Sequence, residues 1–431
     1  MQPGRVLLVE PQFPIPPKSR NHHNFLPVGL LKLASLLRAR SVEVRLVRGV
    51  PSSPQEISDL KSFDPDEIWM TTLFTYWASH VKTTVEAYRR VLPNARVILG
   101  GIYASLLPAQ EVISYTGCDE VRQGVVDDAE ALAPAYDLLE DYTGTTLDYQ
   151  IVHASRGCPR KCRFCGTWKV EPSFRPEASI ADRVVKKHLV FYDNNLLMNP
   201  HIDAILGELA ILRKSRRLSW CESQSGFDGR VLAERPELAK MLRAAGFRNP
   251  RIAWDHGVQE QDAVRKQLAL LQHAGYAPSK QIYVFMVFNW DIPFAEMEAK
   301  RIRCWEWKVQ IADCRYRPLD QLYDNYRGGA VQGTGDYHIH TAAGWTDRLV
   351  KQFRRNVREQ NICVRHGFPF YSRSLERKQY RVDPSLEERR AAPLERQLAE
   401  LARIGADYWV PSAPRWPAEV QDAALFSRAS S

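Results

Sequence analysis

The sequence predicts an α/β protein in three parts: an amino-terminal doubly wound parallel sheet, a partial barrel of six strand–helix units, and a helical, basic carboxyl-terminal region. Three observations predict this fold class. Short aliphatic runs alternate with amphipathic segments over the first 140 residues, the alternation restarts at Tyr149 for six strands, and a basic helical segment follows. Alternating strands and helices form parallel sheets with right-handed crossovers.

The first part, residues 1–140, contains five strand signals separated by helical ones. The strand signals are RVLLVE from Arg5, VEVRLV from Val42, EIWMTTLFT from Glu67, ARVILGG from Ala95 and DEVRQG from Asp119. Between the first two, PVGLLKLASLLRAR places Leu30, Leu33, Ala34 and Leu37 on one face, as an amphipathic helix requires. This order predicts a doubly wound domain.

The second part, residues 148–326, repeats the pattern. Its strand signals are YQIVHAS from Tyr149, HLVFYD from His188, LSWCESQS from Leu218, RIAWDH from Arg251, QIYVFMVF from Gln281 and VQIADCRYR from Val309. Six units are too few to close an eightfold barrel, so an open, partial barrel is expected. The third part, residues 327–431, starts with a glycine-rich loop and contains the basic helix WTDRLVKQFRRNVREQ, which Thr346 caps.

The composition is that of a globular protein, with 45% apolar and 25% charged residues among 431. It excludes a disordered or fibrous chain. No run approaches the roughly 18 consecutive apolar residues of a membrane helix, so we expect a cytoplasmic protein without a membrane span. The net charge is +9, and eight cysteines are too few for a disulfide scaffold. We expect most of Cys118, Cys304, Cys314 and Cys363 to lie in the core.

Three cysteines stand together directly after the first strand of the second part. Cys158, Cys162 and Cys165 form a CxxxCxxC pattern within SRGCPRKCRFCGTW. Thiolates are soft ligands that favour an iron–sulfur cluster or zinc over hard cations. Three ligands leave one coordination position open, whereas a closed structural zinc site needs a fourth Cys or His. His153 and Cys221 are the nearest candidates for that fourth ligand.

The cysteine motif resembles that of the radical S-adenosylmethionine (radical SAM) enzymes in its spacing, in the aromatic Phe164, and in its position after the first barrel strand. The resemblance implies that Cys158, Cys162 and Cys165 hold a 4Fe-4S cluster whose open iron binds S-adenosylmethionine (SAM). It also implies cleavage of SAM to methionine and a 5′-deoxyadenosyl radical, with an electron donor such as flavodoxin or ferredoxin. Phe164 is then a candidate SAM contact.

The family also places polar residues at barrel strand ends to hold SAM. The resemblance assigns this role to Asp193 and Asn194 after the second strand. Ser223 and Gln224 at the third strand and Asp255 at the fourth are further candidates, because sites of barrel folds gather at the carboxyl ends of the strands. Asp193 and Asn194 are equally typical of a turn. Alternation along the third strand decides which side chains face the barrel interior, and the sequence leaves that register open.

The first part resembles the cobalamin-binding domain that precedes the barrel in one large radical SAM subgroup. There the corrin lies over the carboxyl ends of the parallel strands, where open α/β sheets bind ligands. The resemblance assigns corrin contacts to Thr71, Thr72, Thr75, Gly100, Gly101 and Tyr103. The glycine pair is equally typical of an ordinary strand-end turn. The DxHxxG signature of cobalamin mutases is absent, and related chains keep this domain as an empty scaffold.

The resemblance implies a cobalamin-dependent enzyme that methylates an unactivated carbon of a small-molecule or lipid-like substrate, for which the basic charge permits an anion. Cobalamin-free radical cyclisation or rearrangement is the alternative on the same architecture. An RNA methylthiotransferase fits less well, since such enzymes carry further cluster cysteines where this chain has only Cys118, and nucleic acid is not expected as a partner. A non-catalytic zinc protein is the remaining hypothesis.

Two arginines end the last predicted strand. Arg315 and Arg317 lie on one strand face by alternation and are candidates to clamp a carboxylate or phosphate. Pairing with Asp313 or Asp320 is the structural alternative.

Overall fold

The computed structural model describes residues 3–14, 26–325, 337–369, 371–372 and 408–409. The chain divides into two units. The first comprises residues 1–225 and 317–338, and the second comprises residues 226–316 and 339–431. The three-domain division of the sequence stays a prediction.

Five parallel strands and their connecting helices open the first unit. The strands are β1 (Arg5–Glu10), β2 (Glu43–Arg48), β3 (Glu67–Thr72), β4 (Arg96–Gly101) and β5 (Glu120–Val121). The helices are α1 (Val28–Ala39), α2 (Pro54–Phe63), α3 (Ala78–Val91), α4 (Ile102–Leu106), α5 (Ala109–Thr116), α6 (Asp127–Glu130) and α7 (Tyr136–Thr143). The strand order β2-β1-β3-β4-β5 is that of a flavodoxin-like doubly wound sheet.

Strand β1 is buried because its side chains alternate between two apolar cores. Val6 and Leu8 pack with the apolar residues of α1, and Leu7 and Val9 pack with those of α3. All four side chains are completely buried. A strand covered by helices on both faces needs apolar residues at every position, which explains the uninterrupted run VLLV.

A second parallel sheet completes the first unit. It contains β6 (Tyr149–Val152), β9 (His188–Phe191) and β10 (Trp220–Ser223) in the order β10-β9-β6. Between β6 and β9, the short strands β7 (Ser155–Arg156) and β8 (Arg175–Pro176) pair antiparallel. Helix α8 (Thr167–Val170) lies between β7 and β8, and α9 (Ile202–Lys214) joins β9 to β10.

The second unit contains a third parallel sheet of order β11-β12-β13. Its strands are β11 (Arg251–Ala253), β12 (Tyr283–Phe288) and β13 (Gln310–Arg315). Its helices are α10 (Gly229–Glu234), α11 (Glu237–Ala244), α12 (Gln261–His273), α13 (Pro278–Gln281), α14 (Phe294–Glu306) and α15 (Asp347–His366). Strands β14 (Tyr371–Ser372) and β15 (Tyr408–Trp409) pair antiparallel. Phe227 makes a parallel bridge to Ile252 of β11.

The predicted fold class is confirmed. All six later strands are present, and Thr346 caps α15 by accepting a hydrogen bond from the Leu349 N–H at 3.2 Å. The expectation that most of Cys118, Cys304, Cys314 and Cys363 lie in the core is confirmed, because three are buried and Cys314 is exposed. Most of the predicted glycine-rich loop and of the carboxyl-terminal region lies outside the described residues. Within the described residues, no helix is long and apolar enough to cross a membrane.

Candidate functional site

The three motif cysteines lie on the loop between β7 and β8, just beyond the carboxyl end of β6. The Cys165 N–H donates to the Cys162 carbonyl at 3.1 Å and closes a turn. All three cysteines are half-buried, and none of the chain's eight cysteines, each of which is described, forms a disulfide. The loop is tight at its entry, because a Cβ on Gly157 (φ +75°) would lie 2.2 Å from the Ser173 carbonyl oxygen.

Backbone donors face two of the three sulfur atoms. The Arg160 N–H lies 3.4 Å from the Cys158 Sγ, and the Thr167 N–H lies 3.5 Å from the Cys165 Sγ. Such donors stabilise thiolates, the form that binds metals. Among the residues that the structure describes, no three His, Cys, Asp or Glu side chains are grouped so as to hold a metal ion. The three thiols are soft donors of the kind that iron–sulfur clusters use, and to hold one they would have to come together.

Asn194 connects the end of β9 to both ends of the cysteine loop. Its Oδ1 accepts a hydrogen bond from the Thr167 hydroxyl at 3.1 Å, and its Nδ2 donates to Glu171 Oε2 at 3.2 Å. The same Glu171 oxygen accepts the Gly157 N–H at 2.6 Å. The Cys165 thiol in turn lies 3.3 Å from the Thr167 hydroxyl. Asn194 is therefore two contacts away from a motif sulfur.

Asp193, the neighbour of Asn194, is completely buried and serves the end of β6. Its carboxylate accepts hydrogen bonds from the Ala154 N–H at 3.0 Å and the Ser155 hydroxyl at 2.7 Å. Burial raises the pKa of Asp193 to about 6, although these donors oppose the rise. Asp193 therefore stabilises the chain segment that leads into the cysteine loop, and none of its surface is exposed.

The remaining candidate SAM contacts lie at several strand ends. Ser223 ends β10 and is buried, the Gln224 N–H donates to the Phe191 carbonyl at 2.9 Å, and Phe164 is half-buried on the cysteine loop. In the second unit, Asp255 follows β11 and is half-buried. Burial raises the pKa of Asp255, and the charge of Lys300 opposes this.

Lys300 of α14 fixes the backbone on both sides of Asp255. It is completely buried, and its Nζ donates to the carbonyls of Trp254 and His256 at 2.8 Å each. Burial lowers the pKa of Lys300 to about 8. Two hydrogen bonds from one buried amine thus fix the turn that carries Asp255.

In the five-stranded sheet, the candidate corrin contacts lie where β3 and β4 end. The Thr72 hydroxyl donates to the Gly100 carbonyl at 2.8 Å and accepts the Ala104 N–H at 3.0 Å. A Cβ on Gly101 (φ +96°) would lie 2.3 Å from the Thr72 carbonyl oxygen, whereas one on Gly100 would meet only the Arg122 carbonyl oxygen at 3.5 Å. Internal packing therefore requires glycine at position 101 and not at position 100.

The other three candidates differ in exposure. Thr71 is half-buried, and Thr75 is buried in a 3-10 helix at Thr75–Trp77. Tyr103 is completely buried in the core, and its hydroxyl has no hydrogen-bond partner among the described residues. Burial raises its pKa. No atom of the Tyr103 side chain reaches the surface in this conformation.

The sequence analysis missed residues at the point where the strand order reverses, between β1 and β3. Open α/β sheets bind ligands at such a switch point, outside the carboxyl ends of the strands. Glu10 ends β1, is 4% exposed and pairs with Arg48. Nearby, the rings of Phe13 and Trp77 stack at 5.0 Å. Strand order, which a single sequence does not display, is the information that singles these residues out.

Arg317 pairs with Asp324 and lies 5.1 Å from the centre of the Tyr76 ring. The sequence analysis offered pairing with Asp313 or Asp320 as the structural alternative. The pair that the structure shows is instead with Asp324, and Asp313 lies 3.6 Å from Arg354.

Comparisons with known proteins agree with this geometry. A family model for the B12 binding domain matches residues 22–133. A structure of the cobalamin-dependent S-adenosylmethionine radical enzyme OxsB with aqua-cobalamin bound matches with a TM-score of 0.52 and 14% identity, over 72% of this chain and 53% of that one. The chain therefore shares its fold with this structure, and residues 22–133 are similar to the B12 binding domain. This confirms the predicted fold class and the predicted resemblance of the first part to a cobalamin-binding domain.

Two further solved structures are similar at lower scores. An apo, selenomethionine-labelled structure of OxsB matches with a TM-score of 0.48 and 15% identity, over 82% of this chain and 56% of that one. A cobalamin-binding protein from Desulfitobacterium hafniense DCB-2 matches with a TM-score of 0.22 and 14% identity, over 30% of this chain and 56% of that one. The curated proteins give no match. The chain spans about half the length of the OxsB structures it resembles.

The structure groups candidate residues of the first unit in two places. Cys165, Thr167 and Asn194 form one connected group beside β6 and β9. Thr71, Thr72, Gly100 and Gly101 form a second group at the carboxyl ends of β3 and β4. Asp255 belongs to the second unit. Thr167 and Glu171 were missed in the sequence, although both follow the last motif cysteine within six residues.

Proposed function

We propose that this protein is a cobalamin-dependent radical SAM enzyme that methylates an unactivated carbon. One observation carries the proposal: a domain that matches the B12 binding domain precedes, in the same chain, a CxxxCxxC loop at the carboxyl end of the next parallel strand. A bound 4Fe-4S cluster with SAM would supply the electron and the radical, and cobalamin would supply the methyl carrier. The hard chemistry would belong to these cofactors, while the chain positions them.

Cys158, Cys162 and Cys165 are the proposed cluster ligands. Hydrogen bonds of Asn194 and Glu171 hold both ends of the cysteine loop. The backbone donors to Cys158 and Cys165 would stabilise the thiolates that ligation needs. Phe164 on the loop, and Asn194, Ser223, Gln224 and Asp255 at strand ends, are the proposed SAM contacts. Asp193 is buried, so its proposed contribution is to stabilise the end of β6, from which the chain enters the cysteine loop.

The proposed cobalamin position is the switch point at the carboxyl ends of β1, β3 and β4. Gly100 supports it, because no close internal contact explains the missing side chain at this position. Thr71 is accessible at the same edge, and Ile102, directly after β4, exposes 41% of its surface. The other four candidates would stabilise this edge and would not contact the corrin, because they are buried or packed against the backbone. They are Thr72, Thr75, Gly101 and Tyr103.

The proposed substrate is a small or lipid-like molecule, with a flavodoxin or ferredoxin as electron donor. The basic α15 and the net charge of +9 are compatible with an anionic substrate. The proposed division of labour follows the predicted domains, with cobalamin in residues 1–140 and the cluster in residues 148–326.

The test begins with anaerobic purification and cluster reconstitution in the presence of hydroxocobalamin. After desalting, ultraviolet–visible spectra measure retained corrinoid and cluster, and a dithionite assay measures 5′-deoxyadenosine formed from SAM. We expect both signals in the native chain. We expect Cys162→Ala to lose the cluster and 5′-deoxyadenosine but to keep the corrinoid.

Matched variants separate specific from general damage. Cys314→Ala removes an exposed cysteine outside the motif and should leave all signals unchanged. Gly100→Leu should lower corrinoid retention. Gly207→Leu should not, because it lies outside the proposed corrin position and a Cβ there would have no neighbouring atom within 4 Å. Formation of 5′-deoxyadenosine without retained corrinoid would contradict the cobalamin part and favour radical cyclisation or rearrangement. Absence of both signals would contradict the whole proposal.

A further inference from the structure

A polar cavity of about 100 Å³ lies in the first unit, beside the base of the cysteine loop. Four basic side chains line it, together with two glutamates, His153 and Ser155. The basic residues are Lys32, Arg156, Arg175 and Arg183. A polar cavity of this size has room for a few water molecules or for one small ion.

The inner wall of the cavity is buried and positively charged. Lys32 and His153 each expose only 8% of their surface, and the Lys32 side chain lies 2.9 Å from Glu130 Oε2. The same Glu130 oxygen also faces Arg156 Nε at 3.4 Å. One carboxylate thus serves two cations at this wall, and the buried Arg156 Nε makes no hydrogen bond among the described residues.

The mouth of the cavity carries two arginines whose carboxylate partners are loose or exposed. Arg183 lies 3.5 Å from Glu177, and its side chain is 41% exposed. Arg175 pairs with Asp127, which is 74% exposed. Solvent screens exposed pairs, so these carboxylates offset the arginines only weakly. Glu171, at 3.0 Å from Arg156, is the remaining carboxylate nearby.

His153 lies on the wall of the cavity, beside its cations. Its Nε2 lies 2.7 Å from Arg156 Nη1, so the imidazole accepts a hydrogen bond from the guanidinium and is neutral. Burial, followed by the charges of Arg156, Lys32 and Arg183, holds the pKa of His153 well below its ordinary value. Three of the four cations that line the cavity therefore act on His153, in the same direction as burial.

We propose that this cavity is an oxyanion site that takes the phosphoryl group of a small phosphate-bearing ligand. Arg175 and Arg183 would meet the anion at the mouth, and the Arg156 Nε and the Lys32 ammonium would face it inside. Guanidinium groups suit phosphate because their planar donors match its oxygens. The site uses no residue of the proposed cluster or corrin contacts, and it stands whether or not those cofactors bind.

The experiment is isothermal titration of the full chain with inorganic phosphate, at constant ionic strength set with chloride. Sulfate serves as a second oxyanion whose charge is independent of pH, and glycerol 3-phosphate serves as a phosphate monoester. We expect saturable binding of one anion per chain. Arg183→Gln should weaken this binding by about tenfold or more, because it removes a charge-assisted hydrogen bond.

Two control variants make the result specific. Arg90→Gln removes an equal charge from an exposed position on α3 and should leave the affinity unchanged. Arg183→Lys keeps the charge and should recover part of the affinity. Tight binding of glycerol 3-phosphate identifies an ester as the natural source of the phosphoryl group, whereas binding of inorganic phosphate alone identifies the free ion. Absence of saturable binding, or an equal loss in Arg183→Gln and Arg90→Gln, would overturn the proposal.

Discussion

The side-chain amide of Asn361 pairs with both backbone groups of Ile311. The Ile311 N–H donates to Asn361 Oδ1 at 2.8 Å, and Asn361 Nδ2 donates to the Ile311 carbonyl at 2.7 Å. Ile311 lies on β13, an edge strand of its sheet, and Asn361 lies on α15. One helix residue thus supplies the two hydrogen bonds that a neighbouring strand would otherwise make.

The same device recurs in the first unit. Tyr136 of α7 accepts the Ile151 N–H at 2.9 Å through its hydroxyl, which also lies 3.4 Å from the Ile151 carbonyl. Ile151 lies on β6, an edge strand of the other three-stranded sheet. Unpaired strand edges promote association between chains, so both contacts protect an edge.

Replacement of Asn361 by leucine should therefore destabilise the protein. The variant leaves the N–H and carbonyl of Ile311 without these partners, at a cost of about 1–3 kcal/mol each when buried. We expect a lower free energy of unfolding in urea and more association at high concentration. Arg355→Leu, at an exposed position on the same helix, is the control and should change the stability little. Equal stabilities for the two variants would show that the edge contact contributes nothing.

Two adjacent glycines should respond differently to alanine. Gly101→Ala combines a left-handed φ of +96° with a Cβ 2.3 Å from the Thr72 carbonyl oxygen. Strain and overpacking of this kind cost about 2–4 kcal/mol together. Gly100→Ala makes only an ordinary contact at 3.5 Å and should be nearly neutral. Thermal unfolding of the two variants measures the difference, and a similar loss in both would contradict the packing argument.

Much of the fold could be predicted from the sequence, because buried parallel strands require uninterrupted apolar runs. The run at Arg5–Glu10 coincides with β1, and the later strands begin or end within a few residues of their signals. Helix α2 was not predicted, although Ser53 and Glu56 form a capping box at its start. Its apolar stripe is short, with only Leu60 and Phe63 buried, so periodicity alone does not reveal it.

The candidate sites were predicted less completely, because their geometry depends on contacts between distant segments. Asp193 and Asn194 are adjacent in the sequence, which does not show that their side chains have different partners. The Asp193 carboxylate is buried against the end of β6, whereas the Asn194 amide faces the cysteine loop. Likewise, Tyr103 follows a strand end, yet the turn into α4 directs it into the core. The buried Lys300 beneath Asp255 gives no sequence signal, since 45 residues separate the two positions.

The free energy of unfolding should depend on pH because of Asp193. Its pKa is about 6 in the fold and near 3.8 in the unfolded chain, so between these values the folded state binds more protons. Stability should therefore fall as pH rises from about 4 to about 6, by roughly 3 kcal/mol for a shift of about two pKa units. Urea unfolding across this range measures the effect. Asp193→Asn should lack this part of the pH dependence, and an unchanged profile would contradict it.

Lys300→Met should weaken SAM binding without unfolding the protein, if Asp255 is a SAM contact as proposed. Methionine fills a similar space, but it cannot donate to the Trp254 and His256 carbonyls that flank Asp255. The turn would then relax, and the carboxylate would lose its fixed position. We expect the dissociation constant for SAM, measured by equilibrium dialysis with reconstituted protein, to rise about tenfold, the cost of roughly one lost hydrogen bond. Lys280→Met, at an exposed position on α13, is the control. A folded Lys300→Met protein that binds SAM as tightly as this control would show that the buried amine does not position Asp255.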